Sequence, residues 1–147
     1  MIDFELSDGM KTMQTMIHMM AEQAMRPISR EYDEREHEKP WDFLNMMWNV
    51  SRGSSMTGDG PEKGDKKERK APSEQNLGMC VTVEELCWGD VGLYLSIPNA
   101  GLGGAAVAAA GTPEQKERFL ARFKEGEPKW GAMAITEPHC GSDSSAI

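Results

Sequence analysis

Cysteine is scarce in this chain, three residues in 147, and no two are spaced as CxxC. That argues against a disulfide framework or a structural zinc site. Long apolar runs are missing too. Mean hydropathy is -0.56, and no stretch approaches the roughly 20 apolar residues of a membrane helix. Positive charge is in deficit: 16 Lys and Arg stand against 24 Asp and Glu, a net charge of -8. Binding to bare nucleic acid is not expected of such a chain. Residues 1–6 carry Asp3 and Glu5 and no apolar signal-peptide core. The expectation is a reduced protein of cytoplasmic type without a membrane span. Methionine, by contrast, is abundant: there are 12, clustered early. Unbranched and soft, they suit flexible core packing.

Three unequal parts follow one another. In the first, residues 1–50, Ser7 and Asp8 supply a helix cap. Met10, Met13, Ile17, Met20 and Ala24 then recur at helical spacing on one face. Pro27 interrupts the pattern and predicts a second helix starting there, dominated by charge. A third, apolar on most sides, is expected at 41–50. Residues 51–76 hold only Met56 and Ala71 as apolar side chains. Such a segment buries too little to offset the entropy of ordering, and a flexible loop is expected. Its cluster Lys66, Lys67, Arg69 and Lys70 is balanced by acids and lacks aromatics, and so reads as solvated.

Helix returns at 77–126. Val83, Leu86 and Cys87 are expected on the inner face of a helix over 81–88, with Cys80 and Cys87 in the core. The apolar stretch 93–110 contains Gly101, Gly103 and Gly104, which imply close packing or room for a ligand. Gly111 is expected to end a helix in the left-handed conformation. Thr112, Pro113 and Gln115 form a capping box for the next helix, whose inner stripe is Phe119, Leu120 and Phe123. Trp130–Thr136 reads as a strand, broken by Glu137-Pro138. The fold class expected is all-α: a helical domain over 1–127, and at 128–147 the first strand of an incomplete β domain.

No residue pair makes a convincing catalytic unit. His18 and His37 read as structural or solvated, and Glu84 and Glu85 point in different directions around a helix. The segment from Thr136 to Asp143 is more informative. It follows the expected strand and pairs hydroxyls with a glycine turn. Backbone N–H groups in such a turn, with a serine hydroxyl, hold phosphate oxygens. This points to a nucleotide or flavin site.

The run AITEPHCGSD, residues 134–143, resembles the first signature of the acyl-CoA dehydrogenase family. Further matches stand in order: RPISREYDE at 26–34, Glu84-Glu85-Leu86, Gly111-Thr112-Pro113-Glu114-Gln115-Lys116 with Phe119-Leu120, and Gly126-Glu127 with Trp130-Gly131. The resemblance spans the chain apart from 51–76, which replaces a compact turn. His139-Cys140 also departs, standing where smaller residues are commoner.

The resemblance implies an N-terminal helical domain of a larger three-part enzyme, followed by a β domain and a helical bundle. It implies FAD as cofactor and removal of hydrogens from the α and β carbons of an acyl-CoA thioester. An electron-transfer acceptor protein and a homo-dimer or tetramer come with it. Met133, Ile135 and Thr136 take positions beside the flavin ring. Ser142 matches a serine touching the FAD pyrophosphate and the acyl-CoA. The glycine-rich helix 101–110 would line the acyl channel. No catalytic residue falls in this chain, since the expected carboxylate base lies beyond Ile147; the chain is expected to be a fragment, inactive alone. The alternative reading is a non-catalytic helical subunit or interaction module that complements a partner flavoprotein chain.

Overall fold

The computed structural model describes residues 5–52, 74–143 and 145. The described residues are helical, as expected. The order is α1 (Asp8–Met20), a π-helical turn (Ala21–Met25), α2 (Arg26–Glu34), α3 (Trp41–Ser51), α4 (Gln75–Ser96), α5 (Gly101–Ala110) and α6 (Pro113–Leu120), which a 3-10 turn (Ala121–Phe123) closes. Of the expected loop 51–76, residues 53–73 lie outside the described residues; 51 ends α3 and 75–76 begin α4. The described residues form two compact units, 5–44 with 74–97, and 45–52 with 98–143.

In the first unit, Ser7 caps α1 by accepting a hydrogen bond from the Met10 backbone N–H at 3.4 Å. Met10 is buried, but about three turns further along, the inner stripe departs from the expected one: Ala21 and Met25 are fully buried, whereas Met20 and Ala24 are only half-buried. Regular helix geometry accounts for the shift: eleven residues on, Ala21 comes back to within about 20° of Met10, whereas Met20 stands about 80° off. The π turn accounts for Pro27. A proline ring collides with the carbonyl four residues back in a regular helix; here the helical run widens just before it and continues into α2 instead of breaking.

Helix α4 is longer than the 81–88 predicted. Its inner stripe is Val81, Glu85, Leu86, Gly89 and Leu93. Cys87 is half-buried, but Cys80 is exposed, which corrects the core expectation for it. It stands one residue, about 100° of helix rotation, off Val81. At Gly89 an added Cβ would lie 2.9 Å from the Ala21 Cβ and 3.1 Å from the Met25 sulfur. The α4 backbone therefore packs directly on the π turn. Just beyond, Asp90 leaves the helical region with φ -174° and ψ 122°. Its Oδ1 accepts from the Leu93 N–H at 2.7 Å, restarting the helix, and its Oδ2 accepts from the Ser29 hydroxyl.

The second unit is built on Trp48, Ala100, Leu120 and Phe123, with Phe119 packed against them. The Trp48 Nε1 donates to the Gly126 carbonyl at 2.8 Å, and Gly126, at φ +77°, ends the α6 segment. The capping box forms as predicted: Gln115 N–H to Thr112 Oγ1 at 3.3 Å and Thr112 N–H to Gln115 Oε1 at 2.8 Å. Gly111 differs from expectation. It is extended, at φ -71° and ψ 150°, because the two-residue connection must deliver Thr112 to its cap in the β region. The apolar stretch 93–110 is likewise divided, since Pro98 lacks an N–H and disfavours helix at the residue before it.

The strand expected at 130–136 does not form; this stretch has no regular secondary structure, and no strand occurs among the described residues. A strand exists by pairing with a neighbouring strand, and one alone gains little in water. The Gly131 N–H donates instead to the Asn99 carbonyl at 2.9 Å.

Candidate functional site

Residues 137–140 close a tight turn. The Glu137 N–H donates to the Cys140 carbonyl at 2.9 Å, and the Cys140 N–H returns to the Glu137 carbonyl at 3.3 Å. Pro138 holds the second position, where its fixed φ suits a turn. Thr136 and Ser142 stand on the two limbs, and both are exposed. The limbs run close: a Cβ on Gly141 would lie 3.9 Å from the Thr136 methyl. Past the turn, the Ser145 hydroxyl donates to Asp143 Oδ1 at 2.7 Å. Met133 and Ile135, 42% and 48% exposed, precede the turn. All four sequence-predicted positions thus lie on one short irregular stretch that turns apolar and hydroxyl side chains toward solvent.

The Gly101–Ala110 helix was expected to line a channel. Its second half does border an open cleft of about 390 Å³, where Ala106, Val107 and Ala110 of α5 face Arg118 and Phe119 of α6. The glycines of its first half serve packing instead, Gly101 and Gly103 against residues 131 and 132 and Gly104 against Ala100 and Leu120.

Sequence reading missed a polar cluster in the first unit. Glu85 is buried at 8% exposure, and its carboxylate meets two side chains one turn apart on α1. Gln14 Nε2 donates to Glu85 Oε1 at 2.7 Å, and His18 Nδ1 lies 2.7 Å from Glu85 Oε2. The hydrogen bond from His18 holds the Glu85 carboxyl below its usual range; burial opposes this, and Gln14 adds to it. A carboxylate only accepts, so the His18 proton facing it resides on Nδ1. The imidazole also stacks on Trp88, with centroids 4.0 Å apart, and the Arg26 guanidinium lies 5.6 Å from the Trp88 ring centroid. The signal was the four-residue spacing Val81, Glu85, Gly89, which places Glu85 on the stripe that packs inward. Among the described residues no group of three or more His, Cys, Asp and Glu could hold a metal ion, and no single helix is long and apolar enough to cross a membrane.

Comparison with known proteins agrees with the signature. Residues 68–127 match the family model described as acyl-CoA dehydrogenase, N-terminal domain. The chain is 31% identical over 147 residues to a short-chain specific acyl-CoA dehydrogenase of Clostridium acetobutylicum, covering 99% of this chain and 36% of that protein. It is 28% identical over 146 residues to a probable medium-chain specific acyl-CoA dehydrogenase of Caenorhabditis briggsae, 99% of this chain and 33% of the relative. To an acryloyl-CoA reductase (NADH) of Anaerotignum propionicum it is 30% identical over 152 residues, 99% of this chain and 34% of the relative. The chain spans about a third of the length of the curated relatives it matches. With a helical fold, an N-terminal-domain match and alignments running the length of the chain, it is similar to the N-terminal portion of acyl-CoA dehydrogenases.

Proposed function

We propose that this chain is the N-terminal part of an FAD-dependent enzyme that removes hydrogens from the α and β carbons of an acyl-CoA thioester. The observation that carries the reading is the turn at 137–140, which sets Thr136 and Ser142 on adjacent, exposed limbs. The donor set fits the cofactor. Thr136 offers a hydroxyl and backbone to the polar edge of a flat ring, Met133 and Ile135 offer apolar surface to its face, and Ser142 with the Gly141 backbone offers donors to a pyrophosphate and to the thioester substrate. When bound, FAD supplies the redox chemistry, acceptance of a hydride from the β carbon. This chain's residues bind and orient; the reading assigns the proton-abstracting carboxylate to none of them. Two relatives are named reductases, so the direction of hydrogen transfer belongs to the assay.

FAD titrated into the protein, read by quenching of flavin fluorescence, is expected to bind. Absence of binding overturns the cofactor assignment. The 147-residue chain alone, given FAD and acyl-CoA, is expected to reduce no dye, since loss of a general base costs orders of magnitude.

A second reading, a helical module that completes a partner flavoprotein chain, is favoured by the exposed apolar side chains Leu77, Val91 and Leu95 on α4, the last 73% exposed. A protein that is well folded, monomeric and colourless, and that takes up FAD only in a mixed complex, would support it over the first.

A further inference from the structure

The glycines around the start of α5 do more than fill space. Gly101 takes φ +56°, and its N–H donates to Asn99 Oδ1 at 2.6 Å. A Cβ there would lie 2.6 Å from the Gly131 carbonyl oxygen. A Cβ on Gly103 would collide with the Ala132 carbonyl oxygen, and one on Gly131 with the Ala100 carbonyl oxygen. The Asn99 carbonyl accepts from the Gly131 N–H at 2.9 Å. Three glycines thus interlock backbone on backbone from both sides, and Asn99 ties the two halves, its side chain to the helix start and its carbonyl to the stretch. Two residues past Gly131 comes Met133, then Ile135 and Thr136.

We propose that Gly101, Gly103, Gly131 and Asn99 form a side-chain-free clasp that fixes the path of residues 131–136 across the first turn of α5, and so act as positioning residues for the flavin-facing stretch. The second half of this statement rests on the FAD reading above; the first stands on the contacts alone. Gly103 is inside a helix, where alanine is intrinsically favoured over glycine. An alanine there should therefore preserve α5 and displace what lies on it.

The test uses the 147-residue chain with methyl-labelled methionine and isoleucine. In the wild type, the Gly131 amide should exchange at least about tenfold more slowly than a random-coil glycine, as a hydrogen-bonded amide does. Gly103→Ala should move the Met133 and Ile135 methyl resonances while far-UV helicity is kept. Gly9→Ala, at a site with nothing within 4 Å, should leave both in place. FAD affinity should fall about tenfold in Gly103→Ala, the loss of one to two neutral hydrogen bonds, and stay unchanged in Gly9→Ala. A Gly131 amide exchanging at the random-coil rate overturns the clasp, whether or not any variant folds. So do Met133 and Ile135 methyls that stay in place in a folded Gly103→Ala. Methyls that move while FAD binds both proteins equally overturn the positioning role. A wild type that binds no FAD sinks the cofactor reading, and the exchange rate and methyl shifts still decide the clasp.

Discussion

The two units hold their backbones together by opposite means. In the first, α1 and α4 are joined by long side chains, with Gln14 and His18 reaching a buried Glu85. In the second, α5 meets residues 131–132 where side chains are missing, at Gly101, Gly103 and Gly131. A polar seam tolerates small shifts, because side-chain torsions absorb them, but it answers to pH. A backbone-on-backbone contact is indifferent to pH and tolerates no added atom. Precision is thus concentrated beside the stretch assigned to the cofactor.

Removing the carboxylate should have the largest effect on stability. Glu85→Ala deprives Gln14 and His18 of their shared acceptor and is expected to cost about 2–3 kcal/mol in chemical denaturation, as for hydrogen bonds to a charged group. A loss under half of that would mean the seam is held by Leu86 and its apolar neighbours. Next comes Gly89→Ala, which forces a methyl against Ala21 and Met25 and should cost about 1–3 kcal/mol by overpacking. The same change at Gly9, which has open space, should be neutral or stabilising, so the difference between the two variants isolates the packing contribution.

Glu85 also sharpens the contrast through pH. Its folded pKa lies below the ordinary glutamate value of about 4.5, so the unfolded state binds more protons near that value. Its contribution is complete above about 4.5 and is lost as pH falls through the lowered folded pKa. The stability gap between wild type and Glu85→Gln should therefore shrink as an acid titration passes below that value. A gap constant from neutral pH to pH 3 would contradict the account of a carboxylate held by hydrogen bonds. The smallest effect is expected in the second unit, where Thr112→Ala should cost about 1 kcal/mol by removing the α6 cap, measurable as a lowered Tm.

Much of this was legible wherever a local rule decides the outcome. The Ser7 cap, the Thr112–Gln115 box and the charge-rich second helix need only neighbouring residues, and so does the break at Glu137-Pro138. What sequence reading missed depends on distant partners. The buried stripe runs through Ala21 and Met25, and not Met20 and Ala24, because that is the side on which Gly89 of α4 packs. Glu85 is inward because Gln14 and His18 satisfy it, and they lie some 70 positions away in the chain. The expected strand at 130–136 had the right composition and lacks a partner strand among the described residues. Met133, Ile135, Thr136 and Ser142 were found through the signature, and the glycines that seat them were seen but not assigned to their contacts.

The assignment of the 130–143 stretch to FAD is tested most directly by FAD affinity and the flavin spectrum in Ser142→Ala and Thr136→Val. A hydrogen bond to charged phosphate is worth about 1.5–3 kcal/mol and a neutral one about 0.5–1.5. Ser142→Ala should therefore weaken FAD binding by about tenfold or more. Thr136→Val should weaken it less and shift the flavin absorption, because it acts at the ring. Equal loss of thermal stability in both variants, with FAD affinity and spectrum unchanged, would reduce the two hydroxyls to caps of the turn and contradict the assignment.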